Sequence, residues 1–310
     1  MEPVFKTPGT FGKPGRAPRR RFDRAAVASL FAASFVAFAV APRGDAASQI
    51  LPASKGEIVA KGDFGEFRKL LAGETRSVKE LLTGVAVIEP GKEIHPPHQH
   101  AEEEFLLLAE GSGTWSLAGQ ESPARRGDLL YVEPWVMHGL KNTSDKPLVF
   151  FVVKWSGKGM EDAAKPDATT TAKPAAKPAA GATPIVSRVL HREDVKPDAE
   201  NSPIGDVRRY WNRALTRSMK DLVTGVATLN PGQEVHPAHQ HADEELMWIV
   251  KGRGTWHFDG HDVPANEGDL LYTEPWKLHG LTNTSDAPLT FYIVKWNPTA
   301  VVMPERPAGK

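Results

Sequence analysis

The chain of 310 residues contains no cysteine. Disulfides, thiolate metal sites and cysteine nucleophiles are therefore excluded, and cysteine usage says nothing about redox compartment. There is no charge excess either, since Lys+Arg and Asp+Glu both total 38. A balanced chain has no electrostatic footprint for a polyanion, which argues against nucleic acid as a partner. Long apolar runs are scarce. The Ala-rich run Ala25–Ala41 is uncharged, but it is only modestly apolar and slightly short for a membrane span. What the chain has in quantity is turn formers, with Gly 27 and Pro 26, and these favour many short strands over long helices. Its length and a hydrophobic content of 40% suffice for two packed domains.

Residues 1–24 are basic and rich in Pro and Gly, ending Pro18-Arg19-Arg20-Arg21-Phe22-Asp23-Arg24. The apolar run follows, then the small-residue boxes Ala39-Val40-Ala41 and Gly44-Asp45-Ala46. A charged region, an apolar region and a small-residue box in that order describe an export signal, here residues 1–47. The Arg19-Arg20-x-Phe22 core resembles the twin-arginine signal, whose pathway carries folded proteins, although Asp23 stands where an apolar residue is usual. The expectation is a periplasmic or extracellular protein that meets the export machinery for folded proteins. An uncleaved membrane anchor, with the rest of the chain facing the periplasm, is the alternative.

The chain repeats itself. Shifted by 141 residues, Thr75–Trp155 lies on Thr216–Trp296 without a gap, sharing Gly-Thr-Trp (113–115 and 254–256) and Gly-Asp-Leu-Leu-Tyr (127–131 and 268–272). A repeat this long is a whole domain and not a solenoid unit. Before Thr75 a one-residue slip would align Gly65-Glu66-Phe67-Arg68 with Gly205-Asp206-Val207-Arg208. Residues 157–184 are dominated by Ala, Pro, Lys, Thr and Gly and read as a semi-rigid linker. This leaves domains at 48–156 and 185–310. Within each, short apolar runs such as Phe105–Leu108, Asp128–Val132 and Leu148–Val153 are separated by Gly and Asn-Thr-Ser-Asp turns. The fold class is all-β, closed or two-sheeted, with Glu66–Leu71 the one helical patch worth naming.

Each repeat carries a histidine cluster, His95-Pro96-Pro97-His98-Gln99-His100 and His236-Pro237-Ala238-His239-Gln240-His241, followed by acidic residues. Alternate strand residues face the same way, so His98, His100 and Glu104 can all point into a barrel. Glu103 has the opposite parity and should point out. Glu102 shares the inward parity but sits beside the turn, which makes it a weaker ligand candidate. A fourth ligand from a neighbouring strand would complete a barrel-centred site, and His138 stands eleven residues after Gly127.

These segments resemble the paired motifs of the cupin superfamily. Its first motif is glycine, five residues, His-x-His, three or four residues, Glu, six residues and Gly; its second is Gly, five residues, Pro-x-Gly, two residues, His, three residues and Asn. The resemblance implies a bicupin of two tandem jelly-roll β-barrels. Residue by residue it places metal ligands on His98, His100, Glu104 and His138, and on His239, His241, Glu245 and His279. Two departures touch turns. One extra residue lies between Gly91 and His98, and likewise between Gly232 and His239. The Pro-x-Gly turn is replaced by Glu133-Pro134-Trp135 and Glu274-Pro275-Trp276.

Three imidazoles and a carboxylate form a nitrogen and oxygen set suited to Mn(II) or Fe(II), one ion per domain, and Zn, Ni or Cu would also fit. Folding and loading before export would shield Mn or Fe from tighter-binding competitors. His95 and His236 are candidate catalytic residues, as proton carriers, substrate contacts or alternative ligands, against a plain loop role. Trp135 and Trp276 line the mouth or pack on its rim. Trp115, Trp256, Tyr131 and Tyr272 read as packing residues. Glu133 and Glu274 read as turn carboxylates, with a role beside the ligands or as general acids the alternative. His191, His257 and His261 read as surface residues.

Oxalate-degrading bicupins carry an arginine three residues before the first ligand. His95 and His236 stand there instead, and their acidic lid has no match, which disfavours oxalate. The resemblance implies an exported metal-dependent oxidoreductase or decarboxylase acting on a small oxygen-rich molecule. The alternative is a non-enzymatic bicupin that binds a metal or a sugar-like ligand. A homo-oligomer is compatible with either.

Overall fold

The computed structural model describes residues 45–166 and 183–307. Residues 1–44 of the expected export signal (1–47) and residues 167–182 of the expected linker (157–184) lie outside the described residues. Among the described residues the helices are single 3-10 turns, at Ala53–Lys55, Arg192–Asp194 and Ala199–Asn201, and none is long and apolar enough to cross a membrane. Each repeat closes a seven-stranded sheet over a three-stranded one, a two-sheet β-barrel of the jelly-roll kind.

In the first repeat the large sheet carries Leu129–Val132, Glu103–Glu110, Leu148–Gly157, Val78–Ile88, Gly65–Gly73 and Glu57–Gly62 side by side, all antiparallel. Its small sheet is Gln120–Arg125, Ser112–Leu117 and His138–Lys141. The second repeat matches except at the far edge, where the two-residue strand Thr183–Pro184 runs parallel to Gly205–Leu215, and the one-residue slip is real: Gly65 pairs with Ile88, and Gly205 with Leu229. The stretch Glu66–Leu71 is strand, not helix. Phe67, Leu70 and Leu71 mimic helical spacing because a register shift between Lys69 and Ala72 turns the strand over. Phe67 therefore packs inside the barrel, while Leu71 packs on the opposite face.

Among the described residues strand alternation builds three cores. Leu106, Leu108, Trp115 and Phe150 fill the first barrel, and Met247, Ile249, Trp256 and Phe291 fill the second. The other faces of the two large sheets pack against each other in one shared core, which holds Phe105, Leu107, Phe151 and Trp155 with Leu246, Trp248, Tyr292 and Trp296. Phe151 stacks on Trp248 with centroids 4.6 Å apart. A sheet apolar on both faces must bury both, and here the second face is buried by the other repeat.

The repeats also exchange their leading strands. Gln49–Leu51 adds to the second repeat's sheet beside Leu270–Thr273, and Arg188–Leu190 adds to the first beside Leu129–Val132. Serine clasps hold both arms. Ser48 donates through its backbone N and Oγ to Glu274 Oε2 (2.8 and 3.0 Å), and Ser187 does the same to Glu133 Oε2 (2.9 and 3.0 Å). Glu133 and Glu274 are thus not free turn carboxylates. His191 is half-buried in the same clasp, its Nδ1 2.9 Å from Asp128 Oδ2, and so departs from the surface reading.

Glu103 does point out of its barrel, but into the shared core, where it is 2% exposed. It accepts from the backbone N–H groups of Arg217 and Ser218 (both 3.1 Å), the Ser218 hydroxyl and Tyr131 Oη (2.8 Å). Glu244 mirrors it, accepting from Arg76 N (3.1 Å), Ser77 N (3.0 Å), the Ser77 hydroxyl and Tyr272 Oη (2.5 Å). The same serines accept from the indoles Trp155 and Trp296 (2.9 and 2.8 Å). Replacing Glu103 by Ala strands these donors. The Glu103→Ala variant should lose about 2–3 kcal/mol of stability, read as a lower urea midpoint at unchanged slope. A midpoint equal to that of the parent would mean that the clasp contributes nothing.

Candidate metal centres

Both centres are built from the same pieces. His98 and His138 exchange backbone hydrogen bonds, N–H to carbonyl, at 2.9 and 2.8 Å, and His239 and His279 do so at 2.9 Å each way. This bridge fixes the His-x-His segment to the start of the strand His138–Lys141. Glu104 enters one position into the strand Glu103–Glu110, facing inward. The carbonyl of His100 accepts from the Trp135 N–H at 2.7 Å, as that of His241 does from Trp276. Trp135 and Trp276, where the motif of the resemblance has glycine, adopt a left-handed backbone, with φ of 65° and 66°. Each costs about 1–3 kcal/mol of strain. Each indole N–H is held outside the site, by the Ala163 carbonyl (2.6 Å) and the Pro304 carbonyl (2.7 Å).

One ring nitrogen from each of His98, His100 and His138 lies within 4.8 Å of the others, and the same holds for His239, His241 and His279. Glu104 Oε2 is 3.3 Å from His100 Nε2 and 2.7 Å from His138 Nε2. Glu245 Oε2 is 3.2 Å from His241 Nε2, and its Oε1 is 3.3 Å from His279 Nε2. His138 Nε2 and His279 Nε2 are buried beside these carboxylates without a hydrogen bond of proper geometry, and His98 Nδ1 and His239 Nδ1 are buried without a partner. Buried nitrogens left unsatisfied around a buried carboxylate are what a cation would satisfy, so the donor set fits a divalent metal.

The outward nitrogens set the tautomers. His138 Nδ1 lies 2.8 Å from the Val136 carbonyl, and His279 Nδ1 lies 2.7 Å from the Lys277 carbonyl. A proton donated there leaves the Nε2 lone pair facing the carboxylate. Glu102 and Asp243 supply orientation from behind, with carboxylates 3.3 and 3.4 Å from His100 Nδ1 and His241 Nδ1. Parity alone offered Glu102 as a weak ligand and gave no sign of this role, which depends on the turn carrying the side chain behind the ring.

Electrostatics within the sites follow from these contacts. Burial, then the neighbouring His95 and His138 rings, lower the His98 pKa to about 3. His239 falls to about 4, through burial and then His236. Burial would also lower His100, but the carboxylates of Glu102 and Glu104 outweigh it and raise it to about 9. In the second site burial is outweighed at His279, whose pKa is raised by Glu245. Burial opposes ionisation of Glu104 and Glu245, yet the hydrogen bonds from His100 and His241, with the His138 and His279 rings close by, hold both well below the usual carboxylate range.

His95 and His236 stand beside the clusters, not within them. Their rings lie edge-on to His98 and His239 with centroids 3.9 and 4.0 Å apart. His236 lines a cavity of about 390 Å³ that reaches His239, Glu245 and His279. Trp115 and Trp256 are fully buried core residues. His257 is tied to Asp262 (2.7 Å) and Thr282 (2.8 Å), away from either centre.

A family model described as the cupin domain matches residues 84–154 and again 225–295. Each repeat is a cupin domain. The two cupin domains hold their histidine clusters at matching positions, and the chain is similar to several curated proteins. A gentisate 1,2-dioxygenase from a Streptomyces species is 30% identical over 112 residues, 33% of this chain and 31% of that protein. An oxalate-binding protein from Thermotoga maritima is 37% identical over 67 residues, 21% of this chain and 54% of that protein. The chain thus spans less than two thirds of the length of either relative. Among solved structures, an oxalate decarboxylase from Bacillus subtilis shares the fold with a TM-score of 0.56 at 16% identity, covering 84% of this chain and 80% of that one.

A metal entering the first cupin domain would displace the proton that His100 shares with Glu104. Near neutral pH, His98 is already neutral, whereas His100 keeps its proton up to about 9. Apparent affinity at the first domain should therefore rise with pH from 6 to 9, with about one proton released there. Calorimetric titration in buffers of different ionisation enthalpy measures that release, and a pH-independent affinity would contradict the shared proton.

Proposed function

We propose that this bicupin is an exported, metal-dependent enzyme, an oxidoreductase or decarboxylase acting on a small oxygen-rich organic molecule. The observation that carries the reading is the convergence of three imidazoles and one carboxylate in each barrel, with a cavity leading to the second set. The gentisate dioxygenase relative supports an oxidative reaction, and Mn or Fe suits the donor set. His98, His100, Glu104 and His138 would hold one ion, and His239, His241, Glu245 and His279 the other. A bound ion would act as a Lewis acid toward a substrate oxygen and stabilise the charge that develops there. The chain's own part is to hold the imidazoles in orientation through Glu102, Asp243 and the backbone carbonyls. His236, which lines the cavity beside His239, would exchange a proton with a bound substrate. A twin-arginine route to the periplasm or cell exterior would deliver the sites folded and already loaded.

A second reading, a binding protein without turnover, draws on the similarity to the oxalate-binding protein. The two readings separate when Mn- or Fe-loaded protein is screened against oxalate, other small acids and phenolics for O2 uptake or CO2 release. Turnover should appear and should vanish in a variant with both His98→Ala and His239→Ala. Full metal occupancy without turnover on any compound would favour the binding reading, and activity surviving the double change would overturn the metal mechanism.

A further inference from the structure

The two barrels differ where their interiors meet the metal centres. The second barrel's cavity is walled in part by Val207, Val223 and Val235. The first barrel has a larger residue at each equivalent position: Phe67, Leu82 and Ile94. The equivalence of Phe67 and Val207 is set by register, because they pair with Ala86 and Ala227, which coincide under the 141-residue repeat. Elsewhere on the wall the exchange runs the other way only mildly, with Met247 for Leu106 and Ile293 for Val152.

Phe67 decides the difference. Its ring is buried in the first barrel's interior with Ala86, Leu106 and Phe150. It lies so close to Gly84 that a methyl group there would meet the ring at 2.6 Å. At the matching Gly225, which lines the second cavity, the three nearest atoms to such a methyl are all backbone. The space that a phenyl ring fills in one barrel is thus part of an opening of about 390 Å³ in the other, within the range of small-molecule sites.

We propose that the two centres divide the work. The second barrel admits an organic substrate with a compact apolar body and a carboxylate head, and Phe67 restricts the first to ligands of a few atoms. The apolar wall suits the body, while the head would meet the cation and His236. This division rests on the metal reading above, and position 67/207 is its specificity determinant.

Full-length protein loaded with Co(II) tests it, in two backgrounds with one centre disabled each: His98→Ala with His100→Ala, or His239→Ala with His241→Ala. Benzoate and formate serve as probes, and the visible spectrum of cobalt reports ligand entry at the remaining centre. Benzoate should perturb the second centre at a concentration at least about tenfold lower than the first, whereas formate should reach both. Val207→Phe should weaken the benzoate response at the second centre by about tenfold or more with formate unchanged, and that formate response confirms an intact site. Phe67→Val should open the first centre to benzoate, so the division is tested even where Val207→Phe does not fold. An equal benzoate response at both centres, or a first centre still closed in Phe67→Val, overturns the division and leaves the metal reading standing. Failure of the centres to take up cobalt overturns the metal reading and the division together.

Discussion

Side chains alternate along a strand, and at Glu103–Glu104 and Glu244–Glu245 this alternation does two jobs with adjacent residues. One carboxylate of each pair enters its own barrel to meet three imidazoles. The other leaves it and accepts hydrogen bonds from a hairpin of the opposite repeat. A buried carboxylate is costly unless its oxygens are satisfied, and the outward one of each pair takes hydrogen bonds from Ser218 or Ser77, which only the two-repeat arrangement supplies. The position of each inward carboxylate is therefore tied, through one peptide bond, to the packing of the two domains.

The rest of the architecture reinforces that tie. The shared core buries the outward faces of both large sheets, and the leading strand of each repeat completes the sheet of the other. The clasps from Glu133 and Glu274 to Ser187 and Ser48 lie a few residues before His138 and His279, so the arm exchange also braces the segments that bring in the last histidine. The backbone bridge from His98 to His138 then closes the site locally.

Much of this was legible in the sequence, because the relevant signals are local or periodic. The 141-residue repeat, the strand alternation that separates Glu104 from Glu103, and the spacing of the histidine motifs all pointed to two barrels with inward-facing clusters. What escaped depended on the partner surface. Parity sends Glu103 outward but does not say that the outside is the other domain. Glu133, Glu274 and His191 looked solvated because their partners lie 54, 226 and 63 residues away. Glu66–Leu71 looked helical because a bulge broke its alternation. The unequal filling of the barrels was already written as Phe67 and Val207, but only the strand register shows that these two residues compete for the same space.

The central claim is that each cupin domain holds one divalent metal through three histidines and one glutamate. Metal analysis of the protein purified from its own compartment, alongside the variants Glu104→Ala and Glu245→Ala, tests it most directly. The account predicts about two ions per chain in the parent and about one in each variant. A parent without stoichiometric metal, or variants that keep the full complement, would contradict it.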